Sequence, residues 1–286
     1  MLQKPRWVSG GFVFERSAEL LHDAYVLSGQ PFHGVSSIVV VGIAAIYFFA
    51  FMGRGALGFG AIAPAVTLSS FLMPPHHAVL LAILTATVPQ LQILPEGIRH
   101  GDWHVSRPAI LGLLISIPLG VWLFARIRSE AFSLVLGFAI STIVMMDTFK
   151  FLDRAAKKVD IRRPSIVFGL ATVTGFMTGL AGAGGVMMLA VYLRHACRDY
   201  ISLRATAALM GTILIFWRLA STVVGGLIDR QLVAESLLLV PIVYIGGWTG
   251  AHFFRGMGAD RYYNFFQGLL LASAIGLMIE GVVKLF

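Results

Sequence analysis

Apolar and polar positions along this chain fall into long blocks rather than a fine alternation. Apolar runs cover about residues 36–52, 56–73, 78–95, 108–125, 131–151, 165–192, 205–227, 236–254 and 262–283. Crossing a hydrocarbon core of about 30 Å takes about 20 helical residues, so most runs fit one helix each. Two regions differ. Residues 36–73 are too long for one straight span, and Gly53-Arg54-Gly55 interrupts them in the middle. Residues 165–192 are also long and contain Gly179, Gly182, Gly184 and Gly185. Each pattern predicts a helix broken by glycine. Residues 1–35 are polar enough to stay out of hydrocarbon. Phe14, Ala18, Leu21 and Tyr25 recur there at helical spacing. They predict an amphipathic helix over 13–27, lying on the membrane surface or capping the loops.

The two broken regions match each other. Gly55-x-x-Gly58-x-Gly60 recurs as Gly179-x-x-Gly182-x-Gly184, 124 residues later. In the same order, Asp102 pairs with Asp229, Gly120 with Gly250, and Leu136-Gly137 with Gln267-Gly268. The common order predicts an internal repeat. The expected organisation is a polar segment at 1–35, a first membrane repeat at 36–152, a basic linker at 153–164 and a second repeat at 165–286. The fold class is an all-α polytopic membrane protein with 8–10 transmembrane helices or half-helices. Its two homologous repeats each open with a glycine-broken helix. Matched breaks of this kind are typical of inverted repeats, which is the favoured arrangement. The segments near 53–60 and 179–185 are then expected to be non-helical and to face each other across a pseudo-two-fold axis.

Composition narrows the class further. Apolar residues make up 57% of the chain, charged residues 13%, and the mean hydropathy is +0.83. A soluble domain carries about twice that share of charge, so a soluble enzyme is excluded. The net charge of +8 does not point to nucleic acid. The basic residues sit mainly in short loops, as the rule that orients membrane proteins requires. Parallel and inverted repeats both put the basic 154–163 loop in the cytoplasm. One cysteine, Cys197, excludes an internal disulfide framework.

No catalytic constellation is present: H-E-x-x-H, G-x-S-x-G, a P-loop lysine and a Cys/His cluster are all missing. His76-His77 follows Pro74-Pro75 at a span end and reads as a solvated loop. Charges inside apolar runs say more, because burying one in lipid costs at least about 2.5–3.5 kcal/mol and marks a pathway. Arg54 lies at the first glycine break and Arg218 inside the run 205–227, after Trp217. Neither has a charged mate in the repeat: Arg54 aligns with Thr178, and Arg218 with Leu91. Asp147 and Glu280 lie nearer the ends of their runs, where snorkelling or loop pairing explains them.

Glycines at a break let the backbone approach a ligand without a Cβ clash. A helix that restarts there aims free N–H groups and its positive dipole end at the cavity. An anion is the natural guest. Gly175-x-x-x-Gly179 and Gly246-x-x-x-Gly250 read instead as close helix packing. Thr85 and Gln90 interrupt the run 78–95 and either line the cavity or satisfy a helix interface. The candidate anion-binding set is therefore Arg54, Gly55, Gly58, Gly60, Thr85, Gln90, Gly182, Gly184, Gly185, Trp217 and Arg218. Nothing calls for a cofactor or a metal.

At these breaks the chain resembles the TauE/SafE family of sulfite and organosulfur exporters. The resemblance rests on Gly58-Phe59-Gly60-Ala61-Ile62-Ala63-Pro64, on Gly179-Leu180-Ala181-Gly182-Ala183-Gly184-Gly185, and on Arg204-Ala205-Thr206. It covers about residues 36–285. Val186 stands where the family often has Pro after the paired glycines. The resemblance implies export of a small sulfur-containing anion such as sulfite, sulfoacetate or a related sulfonate. Residue chemistry alone reaches an anion cavity and not sulfur. The resulting expectation is a secondary transporter in a bacterial-type inner membrane, with a small anion and the lipid bilayer as partners. Coupling to H⁺ or Na⁺ and assembly as a homo-oligomer stay open. The rival readings are an anion channel with the same cavity, an intramembrane enzyme, and a non-transporting membrane subunit.

Overall fold

The computed structural model describes residues 32, 35–57, 60–156, 160–183, 185–197, 199–253 and 259–285. The amphipathic segment expected at 13–27, with Gly58 and Gly184, lies outside them. Among the described residues every regular element is a helix. α1 spans Ser37–Leu57, α2 Ile62–Ser69, α3 Pro75–His100, α4 Trp103–Arg126 and α5 Ser129–Thr148. A short α6, Phe151–Ala156, leads to α7 at Pro164–Ala181, α8 at Gly185–Ala196, α9 at Tyr200–Val224, α10 at Arg230–Phe253 and α11 at Ala259–Leu285.

Seven of these helices are long and apolar enough to cross a membrane: α1, α3, α4, α5, α7, α9 and α10. α2 and α8 are short, at 8 and 12 residues. They carry the second parts of the two long apolar regions. The outer surface fits lipid rather than water. On α4 the outward positions Leu111, Ile115, Leu119 and Trp122 are each more than half exposed, an arrangement that water would penalise.

Local sequence sets the helix ends. Asp102 caps α4 by accepting from the backbone N–H of His104 and Val105. Asp229 does the same before α10, accepting from Leu232 N–H at 2.7 Å. Such caps satisfy first-turn amides that the helix leaves unpaired. Pro75 opens α3 and Pro164 opens α7, positions where the missing N–H costs nothing.

The most extensive interfaces are α4 on α7, α1 on α10, α5 on α11 and α3 on α9. Glycine makes the first two possible. A Cβ at Gly120 of α4 would lie 2.4 Å from the Phe176 carbonyl oxygen and 2.8 Å from Gly179 Cα. A Cβ at Gly175 would meet Ser116 Oγ at 2.1 Å, and one at Gly246 the Phe48 carbonyl oxygen at 2.5 Å. Two apolar cores result. One joins Ile43 and Phe51 of α1, Val66 of α2, Leu81 of α3, Phe132 and Leu136 of α5 and Leu277 of α11. The other joins Leu113 and Ile117 of α4, Ala171 of α7, Leu189 of α8 and Leu214 of α9.

Three expectations need correction. The first break does not fall at Gly53-Arg54-Gly55: α1 runs through all three to Leu57. Gly55 is there for packing, since a Cβ on it would lie 2.1 Å from the Gly247 carbonyl oxygen of α10. The second break also starts later, because Gly179 is helical and packs on α4. The helices part at Leu57 and Ala181. Nor are His76 and His77 in a solvated loop. Pro75 nucleates α3 directly before them, so both lie in its first turn and face inward.

These contacts predict a contrast between two glycine-to-alanine substitutions. Gly120→Ala should cost about 1–3 kcal/mol through overpacking and lower the unfolding temperature in detergent. Gly169→Ala on α7, where a Cβ meets nothing within 4 Å, should leave it unchanged or raise it slightly. Equal unfolding temperatures in the two variants would remove the packing role of Gly120.

Candidate functional site

Arg218 is the central feature. It sits on α9 with 1% of its surface exposed and is the largest fully buried side chain described. Its Nε and both terminal nitrogens have no hydrogen-bond partner among the described residues. Its guanidinium carbon lies 5.8 Å from the centre of the Phe124 ring, a weak cation–π contact that does not replace an anion.

The guanidinium is held against the second helix break. α7 ends at Gly182, which takes a left-handed conformation with φ +79° and donates its N–H to the Thr178 carbonyl. Glycine adopts this conformation without the Cβ penalty. A Cβ there would lie 3.1 Å from Arg218 Nη1 and 3.3 Å from Val79 Cγ1. Glycine thus serves twice at this position, turning the chain and leaving room for the arginine. α8 starts at Gly185, three residues on. The turn between α1 and α2 holds Gly60, with φ +93°.

Arg54 lies elsewhere. It occupies the last turn of α1 and donates from Nη2 to Gln90 Oε1 at 2.7 Å. Gln90 in turn donates from Nε2 to Thr212 Oγ1 at 2.9 Å and to the Ala208 carbonyl at 3.2 Å. One buried amide therefore ties α1, α3 and α9 together. Arg218 approaches α3 at Val79 and Arg54 approaches it at Gln90. These positions are eleven residues apart, about 16 Å of helix rise. The two arginines thus meet α3 at different levels.

The remaining candidates divide. Thr85 is fully buried, but its hydroxyl donates back to the Leu81 carbonyl of its own helix at 2.6 Å. Trp217 is 38% exposed at the periphery and donates from Nε1 to the Leu114 carbonyl of α4. Neither is connected to either arginine by a described hydrogen bond. Asp147 accepts from Gln267 on α11, so this acidic residue serves the α5–α11 contact.

Sequence reasoning missed a second polar cluster. Glu235 of α10, 0% exposed, accepts from His77 of α3, from Gln231, and from the backbone N–H of Phe32. His76 lies beside His77 in sequence, with its ring 4.7 Å from the Phe124 ring and 4.3 Å from the Phe132 ring.

A helical bundle with an apolar exterior and a buried guanidinium is the construction of a multi-pass membrane protein with a charged interior. Comparison with known proteins gives the family. The model of the family "Sulfite exporter TauE/SafE" matches residues 43–277, and the chain belongs to that family. It is 21% identical over 225 residues to a protein of Cupriavidus necator named "Probable sulfite/organosulfonate exporter TauE", covering 79% of this chain and 87% of the relative. No solved structure matches the chain.

The turn at Gly182 gives a direct expectation. Gly182→Ala should lose about 1–2 kcal/mol through left-handed strain, seen as earlier thermal unfolding in detergent. An unfolding temperature equal to the parent's would mean that the turn relaxes and does not need glycine.

Proposed function

We propose that the protein is a secondary transporter that exports a small sulfur-containing anion, sulfite or an organosulfonate, with Arg218 as its anchor. One observation carries the reading. A guanidinium buried to 1% exposure has no hydrogen-bond partner among the described residues. A buried cation costs several kcal/mol unless an opposite charge and hydrogen bonds offset the cost. An anion at the Gly182 turn supplies both. The guanidinium fork matches two oxygens of a sulfite or sulfonate in a way that a lysine cannot. The start of α8 adds backbone N–H groups and a positive dipole end within three residues of that turn.

The export direction and the sulfur chemistry are taken from the family and from the name of the Cupriavidus relative. The bilayer would be the cytoplasmic membrane. The halves α1–α5 and α7–α11 are read as inverted repeats, and the reciprocity of the contacts supports a two-fold relation between them. The first helix of each half packs on the fourth helix of the other, α1 on α10 and α7 on α4. Asp102 and Asp229 cap those fourth helices in the same way. In this reading Arg54, held by Gln90, is a second station on the anion's path rather than part of the Arg218 site.

Charge-assisted hydrogen bonds are worth about 1.5–3 kcal/mol, and 1.4 kcal/mol is tenfold in affinity. Titration calorimetry with sulfite and sulfoacetate should show Arg218→Lys binding about tenfold more weakly, with the fold intact. Arg54→Lys should lose less, because its partner in the structure is a neutral amide. Wild-type affinity in Arg218→Lys would take Arg218 out of the site. Saturable, concentrative flux in liposomes containing only this chain separates a carrier from a channel.

A further inference from the structure

Hydrogen bonds between helix ends sort those ends onto two faces. Phe32 N–H and His77 both meet the Glu235 carboxylate, so α1, α3 and α10 begin at one face. At the opposite face Asp102 N–H donates to Thr206 Oγ1, the Tyr192 hydroxyl to the Val105 carbonyl, and Arg162 Nε to the His195 carbonyl. The starts of α4 and α9, the end of α8 and the segment before α7 therefore lie together there. Among the described residues, exposed Arg99, Arg107, Arg162, Arg163, Arg194 and Arg204 belong to this second face, and Arg126, Arg128 and Arg230 to the first. The bias of basic residues towards the cytoplasm makes the second face the cytoplasmic one. Arg54 lies in the last turn of α1, about 26 Å of helix rise beyond Ser37. Arg218 lies about 27 Å of rise beyond Tyr200 on α9, which starts from the cytoplasmic face. Arg54 thus stands near the cytoplasmic end of the path and Arg218 near the other.

We propose, resting on the two-station carrier reading above, that Gln90 is a stand-in ligand at the cytoplasmic station. Its Oε1 occupies the place of an anion oxygen on Arg54 and yields it when the anion arrives. Gln90 is 3% exposed, whereas Arg54 is only partly covered, so the guanidinium is the group an incoming anion meets. Both amide hydrogens of Gln90 are committed to α9, one to Thr212 Oγ1 at 2.9 Å and one to the Ala208 carbonyl at 3.2 Å. These bonds fix which end of the amide faces Arg54. It is the oxygen, 2.7 Å from Nη2; the NH2 end would set donor against donor. The amide oxygen is a single neutral acceptor. An oxyanion brings a full charge and two oxygens for the fork, so it is the stronger partner and displaces the amide.

Displacement makes the first station weak. Binding at Arg54 gains only the difference between the anion and the amide oxygen it replaces. Arg218 has no described partner to displace, so an anion there gains its whole interaction. Affinity therefore rises from the cytoplasmic station to the inner one. A site on a conduction path has to bind well enough to admit an ion and weakly enough to let it leave. An arginine without Gln90 would retain the anion, and Gln90 keeps it moving. The same displacement alters the helices. While Oε1 holds Nη2, α1 is joined to α3 and, through Nε2, to α9. An arriving anion breaks the bond to α1 and leaves those to α9, so the helix that carries Arg218 is released from α1 as the first station fills.

The test titrates methanesulfonate into the full chain in detergent by calorimetry. Arg218→Leu removes the inner station, so the binding that remains reports Arg54. Adding Gln90→Leu to that variant should tighten binding about tenfold, the worth of one hydrogen bond to a charged group. Adding Arg54→Gln as well should abolish the gain. If Gln90→Leu does not fold, Gln90→Met, unbranched and of similar length, takes its place. A purely structural Gln90 predicts the opposite sign, since losing a helix tie cannot strengthen a site. With Arg218 intact, Gln90→Leu should also slow label exchange at saturating methanesulfonate in proteoliposomes, because the anion lingers at Arg54. Unchanged, weaker or undetectable binding on adding Gln90→Leu, a gain that survives Arg54→Gln, or exchange at the parent rate overturns the stand-in ligand and leaves the carrier standing. Wild-type protein that neither binds nor exchanges methanesulfonate or sulfoacetate overturns the carrier reading, and the stand-in falls with it.

Discussion

A guanidinium enclosed by apolar helices is the constraint on which the rest of this architecture depends. Arg218 cannot reach water at 1% exposure, and a full charge in such a place costs more than one hydrogen bond returns. The surrounding structure makes the position tolerable without neutralising it. The Phe124 ring offers its face, and Gly182 removes a side chain that would press on the guanidinium. Neither contact supplies an opposite charge. A bundle of this size could place leucine there and gain stability. Retaining the arginine makes sense for a protein that must attract an anion into a region of low dielectric.

Glycine is the means by which the helices come close enough to enclose that charge. In lipid no hydrophobic gain drives helix association, so close backbone contact has to carry it. Gly120 against Gly179, and Gly55 against Gly247, bring pairs of helices to backbone contact distance. The same residue type does the opposite at Gly60 and Gly182, where positive φ ends the helical path. Packing glycines and turning glycines alternate within one short motif. That is why the motif located the breaks only to within a few residues.

The sequence made some of this visible and concealed the rest for identifiable reasons. Arg218 stands out because a charge inside an apolar run is conspicuous in one dimension. The helical class, the membrane character and the family follow from run lengths, composition and the glycine motifs in the same way. The Arg54–Gln90–Thr212 chain joins residues from three runs, and no spacing rule pairs them. His77 and Glu235 are 158 positions apart, and each has an ordinary local explanation. Pro74-Pro75 before the histidines fits a loop as well as a helix start, and Glu235 falls just outside an apolar run. Only the packing of α3 on α10 brings them together. Local pattern reveals an element and a misplaced charge, whereas a polar network between distant elements is a property of the fold.

Phe124 links these levels. Its ring touches the Arg218 guanidinium, the His76 imidazole and the Phe132 ring, and its carbonyl lies 3.0 Å from His76 Nε2. An aromatic ring at this point excludes water from the polar groups on either side of it. It also makes the two polar groups depend on one side chain for their placement. Movement of α4 relative to α3 or α9 would change both environments together. Coupling of that kind needs no wire of hydrogen bonds. It needs a packed element that two polar groups share, and the last turn of α4 provides one.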